Sequence, residues 1–249
     1  MDFRSALDRG YEKVRSDAPE SGLDHGARLL ARGKPEGAER VFRDVLEDFP
    51  DSAVAHALLS LALADQRRGR EAMGAASDAI GIDPRLALAH AARAGAFELL
   101  GYAWEAEMEG RQAVALAPTD PNRQSDLAGI VQRAGRHSEA LDITARGLSL
   151  NPSHLPSLHC RARALVSLGR VDEAQELLDA AFLDDPDLAA LRTSIAGVLE
   201  KEGHRGRAAD EYREALRLDK SVDVARHGLR RLDPPYRRLL PTNWRRKRS

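Results

Sequence analysis

Three groups of side chains invite a chemical reading. His56 and His90 stand 34 residues apart, and two imidazoles can share a metal. No third ligand follows them at metal-site spacing, so packing accounts for the pair better. Cys160 lies beside His159 and six residues after His154, a thiol and two imidazoles of the kind used in nucleophilic chemistry. Neighbours in sequence on a helix do not face each other, and a lone helical cysteine behaves as a small buried hydrophobe. Glu105, Glu107 and Glu109 offer carboxylates for acid–base work, but their setting predicts a solvated helix face. No glycine-rich phosphate loop follows a strand, and no convincing strand is present. The residues therefore assign no catalytic group, no metal and no cofactor, and the chain reads as a non-enzyme.

What positions these residues is a period. Pro50, Pro84, Pro118, Pro152 and Pro186 are 34 residues apart, as are Ala38, Ala72, Ala106, Ala140, Ala174 and Ala208. Gly33, Gly101, Gly135, Gly169 and Gly203 keep the same step, with Arg67 the one break. A fixed period of this length marks one supersecondary unit repeated, here a helical hairpin about six times over. In the third copy the spacing predicts helix A over Ala87–Leu100 and helix B over Ala103–Leu116. Gly101 ends the first helix in a left-handed conformation. Pro118 follows the second, where it cannot donate a backbone hydrogen bond. Asp120 is a suitable N-cap and Pro121 suits the first helical position.

This pattern resembles the tetratricopeptide repeat family, over about Pro19 to Val222. The resemblance implies an all-α fold: a right-handed α-α superhelical solenoid of about six 34-residue hairpins, with capping helices at both ends. The expected division is an N-terminal capping helix in 1–18 and repeats at 19–52, 53–86, 87–120, 121–154, 155–188 and 189–222. A capping helix follows in 223–232, with Ser221 as its N-cap, and then a basic tail without fixed structure in 233–249. In the family, small residues such as Ala94 and Ala106 mark where helices A and B cross closely. The usual aromatic in the first turn of helix A is replaced here by His56, His90 or Gln124. The usual aromatic of helix B survives only as Phe42 and Tyr212, with Ala76, Gly110 and Thr144 between them, so the middle repeats are expected to open more easily.

The resemblance also implies that the A helices line a concave groove. Projected onto that groove, the chain offers Leu61, Leu88, Ala91 and Leu99 first, then Gln132, Arg133, His159 and Arg163. The first set is apolar and the second polar and mostly basic. The expected ligand is an extended or helical peptide, or a partner domain, with an apolar and a carboxylate-bearing part, since arginine binds carboxylates bidentately. The positions that grip a C-terminal carboxylate in one subclass hold Leu23, Ala27, Ala57, Leu61, Ala91 and Gly95 here, so that clamp is not expected.

The chain has 249 residues, 31% of them charged, and a net charge of −1. The last twenty residues carry about +7, leaving an acidic-leaning solenoid with a basic tail. Arg237, Arg238, Trp244, Arg245, Arg246, Lys247 and Arg248 mix an aromatic with bases, as surfaces for anionic lipid or nucleic acid do. A basic tail on a solenoid loosely resembles bacterial members that couple to membranes. The single cysteine excludes an internal disulfide, and the absence of a long apolar run at the start predicts a cytoplasmic protein without a signal peptide. The expected function is a protein-interaction scaffold. The alternative is a membrane- or nucleic-acid-associated adaptor localised by its tail. No small-molecule substrate is expected.

Overall fold

The computed structural model describes residues 20–181 and 185–232. The expected N-terminal helix, Phe182 and the basic tail lie outside the described residues. Among the described residues the chain is all helical: α1 (Glu20–Ala31), α2 (Pro35–Asp48), α3 (Ala53–Asp65), α4 (Gly69–Ile82), α5 (Ala87–Leu100), α6 (Ala103–Leu116), α7 (Pro121–Arg133), α8 (His137–Leu150), α9 (Leu155–Ser167), α10 (Val171–Asp179), α11 (Asp185–Lys201), α12 (Arg205–Leu218) and α13 (Asp223–Leu232). The fold class is an all-α helical repeat of the solenoid kind. The third pair, α5 and α6, has the bounds that the spacing predicts.

The turn from helix A to helix B is closed by one backbone device. After α5 the amide of Gly101 donates to the Glu98 carbonyl at 3.1 Å, and that of Tyr102 donates to Phe97 at 2.9 Å. Such a turn needs a left-handed residue, and Gly101 has φ 82°. Arg67 breaks the glycine ladder in type but not in shape, with φ 63°. Its amide donates to Ala64 at 2.9 Å and that of Arg68 to Leu63 at 3.0 Å, the same closure. An L side chain in this conformation costs roughly 1 kcal/mol, so the repeat imposes the turn even where the residue disfavours it.

Entry to helix A is equally local. Asp120 caps α7 as expected, accepting from the Asn122 amide at 2.8 Å, with Pro121 in the first turn. Ser52 caps α3 by accepting from the Ala55 amide at 3.3 Å. Two expectations are corrected. Pro186 lies inside α11, whose start precedes the predicted sixth repeat, because proline is tolerated in a first turn. Ser221 does not cap α13: its own amide and hydroxyl donate to Asp219, at 2.8 and 2.7 Å, and the helix starts at Asp223.

The chain forms two compact units that divide within α9, between Cys160 and Arg161. In the first, α3 is the central helix. It packs on α1, α2, α4 and α5, and ten of its thirteen residues are buried. A helix apolar all round needs partners all round. The aromatic of helix B, Phe42, is fully buried against Gly26, where a Cβ would land on the ring. At Gly110, where the chain lacks that aromatic, the next A helix fills the space: Ile130 and Leu127 of α7 reach over it.

In the second unit α11 packs on α12, and α12 on α13. Tyr212 repeats the aromatic-on-glycine contact, its ring lying against Gly228 of α13. Arg192, in the position of the absent first-turn aromatic, is buried and donates to Glu211 at 2.8 Å and Asp179 at 2.7 Å.

Candidate protein-interaction surface

The A helices α3, α5, α7 and α9 carry the side chains that the sequence projects onto a groove. Leu61 and Ala91 are buried, while Leu88 and Leu99 are half-buried and pack on the core of the first unit. Gln132 is buried. Its Nε2 donates to the Cys160 carbonyl at 3.3 Å, and its Oε1 has no hydrogen-bond donor. Arg133 is the most exposed of the set, and its Nε donates to Glu98 of α5 at 2.6 Å. His159 is half-buried in the first unit, and Arg163 is half-buried in the second.

Charge on this face is more balanced than the projection implies. Arg123 bridges Asp120 at 3.1 Å and Asp126 at 3.0 Å. Burial pushes the Asp126 carboxyl up to about 6, and the neighbouring Asp120 and Glu98 add to the rise while Arg123 and Arg133 oppose it. Burial also raises Glu98, and Arg133 only partly offsets that. The projection missed Glu98 because it stands 35 residues before Arg133, one off the repeat period.

Between α7 and α9 the seam is polar. The Asn122 Oδ1 accepts from His154 Nε2 at 3.0 Å, and His154 Nδ1 faces Ser157 Oγ at 2.9 Å. Serine, imidazole and amide in line resemble a hydrolytic relay, but Ser157 is fully buried and its hydroxyl meets no substrate. The arrangement serves the helix instead. His154 precedes α9, and its Nδ1 also accepts from the Ser157 amide at 3.4 Å, an N-cap made by a ring nitrogen. With Nδ1 accepting, Nε2 carries the proton given to Asn122. Cys160 is half-buried, with Sγ 3.8 Å from the Ser125 carbonyl.

His56 and His90 do not pair with each other. Each ring holds the carbonyl of its own ladder proline, His56 to Pro50 at 2.9 Å and His90 to Pro84 at 3.0 Å. Gln124 does the same to Pro118 at 3.2 Å. Polar side chains thus replace the expected first-turn aromatic and tie each helix start to the preceding break. His90 Nδ1 also meets Glu109 at 2.7 Å, and Arg93 donates to the same carboxylate at 2.6 Å. The expectation of a common solvated face for Glu105, Glu107 and Glu109 is corrected. Glu107 is bound by Arg111 and Arg136, because residues two apart point to different sides of a helix.

Among the described residues no three His, Cys, Asp or Glu side chains are grouped to hold a metal, and no helix is long and apolar enough to cross a membrane. The basic-tail residues from Arg237 to Arg248 lie outside the described residues.

The tetratricopeptide repeat family matches the sequence twice, at residues 23–87 and 134–196. The fold is similar to that of the APC/C hetero-tetramer Cut9–Hcn1, with a TM-score of 0.64 at 18% identity, over 85% of this chain and 42% of that one. This chain therefore spans less than half the length of that relative. It is also similar to pilF of Pseudomonas aeruginosa, with a TM-score of 0.57 at 20% identity, over 84% of this chain and 95% of that one. TTC0263, a thermophilic TPR protein of Thermus thermophilus, gives 0.51 at 20% identity, over 86% and 97%. No curated protein matches the sequence.

Proposed function

Because this chain belongs to the tetratricopeptide repeat family, we propose that it is a non-enzymatic scaffold that holds a protein or peptide partner on the A-helix face of its first unit. The observation that carries this reading is the junction of α5 and α7. Leu99 is half-buried near the end of α5, next in sequence to Glu98, which holds the exposed guanidinium of Arg133 from α7, while Leu88 is half-buried at the start of the same helix. Apolar surface next to an oriented cation suits a peptide with an apolar side chain and a carboxylate a short distance away.

Glu98 now occupies that cation, but its carboxyl is desolvated and sits above its ordinary range. A partner carboxylate approaching from solvent replaces it without leaving Arg133 unpaired.

Affinity capture from a host lysate, with partners identified by mass spectrometry, tests the reading. Leu99→Glu with Arg133→Glu reverses both features at side chains that are not fully buried. The expected result is loss of the specific partner with unchanged helical circular dichroism. Undiminished capture by the folded double variant overturns it.

A further inference from the structure

In the first unit the turns that join each A helix to its B helix lie along one edge. Helix α3 packs on α5, and α5 on α7. Gly69, next to the second turn, abuts Leu99 and Leu100 just ahead of the third. Arg136 of the fourth reaches Glu107 in α6.

Two observations at this edge are not explained by folding. The first is apolar. Tyr102, Trp104 and Met108 are 51%, 69% and 49% exposed, although rings and thioethers of this size are ordinarily buried. Ala106, Gly110 and Ala113 carry the buried side of α6, so Trp104 and Met108 project together from its opposite side, one turn apart. Tyr102 stands beside them, edge-on to Phe97 at 6.1 Å.

The second is Arg67. The other left-handed turn residues among those described are glycines, yet here the chain accepts backbone strain to present a cation. Arg67 and Arg70 are exposed and have no ion-pair partner among the described residues. Two carboxylates of this region are held by other cations. Glu71 is engaged by Arg68, and Glu107 by Arg111 and Arg136. Glu105 sits in the first turn of α6, where the helix N-terminus compensates it.

We propose that this turn edge is a docking surface for an anionic phospholipid membrane. A headgroup layer accepts all three features together. Tyr102 and Trp104 sit at the interface, Met108 enters the acyl boundary, and Arg67 and Arg70 lie against lipid phosphates. Single-stranded nucleic acid would use the rings and the cations, but Met108 offers a base no stacking face. A row of projecting turns is also not a channel that tracks a strand. The surface is separate from the A-helix face and does not depend on a ligand there.

The test uses the full chain carrying Trp244→Phe, which leaves Trp104 as its only tryptophan. Vesicles of phosphatidylglycerol and phosphatidylcholine are compared with phosphatidylcholine alone, at low salt, by sedimentation and tryptophan emission. The expected result is a blue shift of Trp104 only with the anionic vesicles. Arg67→Gly with Arg70→Gln should weaken that binding about tenfold or more, from two lost cations. Arg67→Gly relieves the strained turn, so weaker binding by this variant is not loss of fold. Sedimentation without a change at Trp104 assigns lipid contact to another part of the chain and overturns the proposal, as does absence of sedimentation. Quenching of Trp104 by oligothymidylate, with no response to vesicles, overturns it in favour of nucleic acid.

Discussion

Helices α3 and α7 hold the same place in their repeats and are built from opposite materials. Both bury most of their length, ten of thirteen residues in α3 and nine of thirteen in α7. In α3 the buried set is alanine, leucine and valine with one serine. In α7 it includes Asn122, Gln124, Ser125 and Gln132. The repeat therefore dictates which positions are covered, not what covers them. Apolar contacts around α3 are non-directional and tolerate small shifts. The bonds that α7 makes to His154 and to the Cys160 carbonyl fix one register and fail if it slips. The first unit thus has an oily middle and a keyed end.

The comparison is tested most strongly at Leu58, which is fully buried in α3. Leu58→Ala should cost about 2–5 kcal/mol in denaturant unfolding. A cost below that of any change in α7 would reverse the ranking.

Next comes Asn122→Ala, which removes the Oδ1 that accepts from the buried His154 Nε2. The expected loss is about 1–3 kcal/mol. In a double-mutant cycle with His154→Ala the costs should not add, and additivity would show that the key carries no coupling.

The third effect is a pH dependence that only the keyed end should show. The Asp126 carboxyl takes its proton near 6 in the folded chain, against an ordinary value of 3.8. Between those values the folded state holds the extra proton. Stability from this group therefore grows as pH is lowered from 7.5 toward 4 and is lost as pH rises through 6. The change should be about 2–3 kcal/mol, and Asp126→Asn should flatten it. Glu39, in α2 beside α3, has the opposite sign. Burial works against its charge, but hydrogen bonds from Gln66, Arg68 and Arg43 outweigh it and hold the carboxyl down at about 2. Its contribution is present at neutral pH and is lost progressively as pH falls from about 4.5 through about 2.

The smallest effect should be a gain. Ser60 of α3 is fully buried and its hydroxyl has no partner. Ser60→Ala should raise stability by about 1 kcal/mol. A loss would mean that α3 is keyed as well.

The period made the helices legible. It placed both ends of α5 and α6, the Asp120 cap and the glycine turns, because each follows from local backbone rules. It did not reveal the hold on the proline carbonyls, since the family pattern led to an aromatic at His56, His90 and Gln124. Arg67 looked like a break because residue type, not φ, is what a sequence displays. Pairings off the period stayed invisible: Asn122 with His154 is 32 residues apart, and Glu98 with Arg133 is 35. Such contacts depend on the stacking of neighbouring helices, which no single repeat encodes. For the same reason the groove residues were legible as positions, while the occupancy of Arg133 by Glu98 was not.

The hold between a first-turn side chain and the proline carbonyl six residues earlier bears on the descent of the chain. Both partners lie within one short stretch of polypeptide. A genetic duplication that copies the stretch copies a finished joint, with nothing to be re-evolved in the neighbour. Array length can then drift by whole copies while each junction keeps working. The interior lining, which depends on the neighbour, is left free to diverge as α3 and α7 have done.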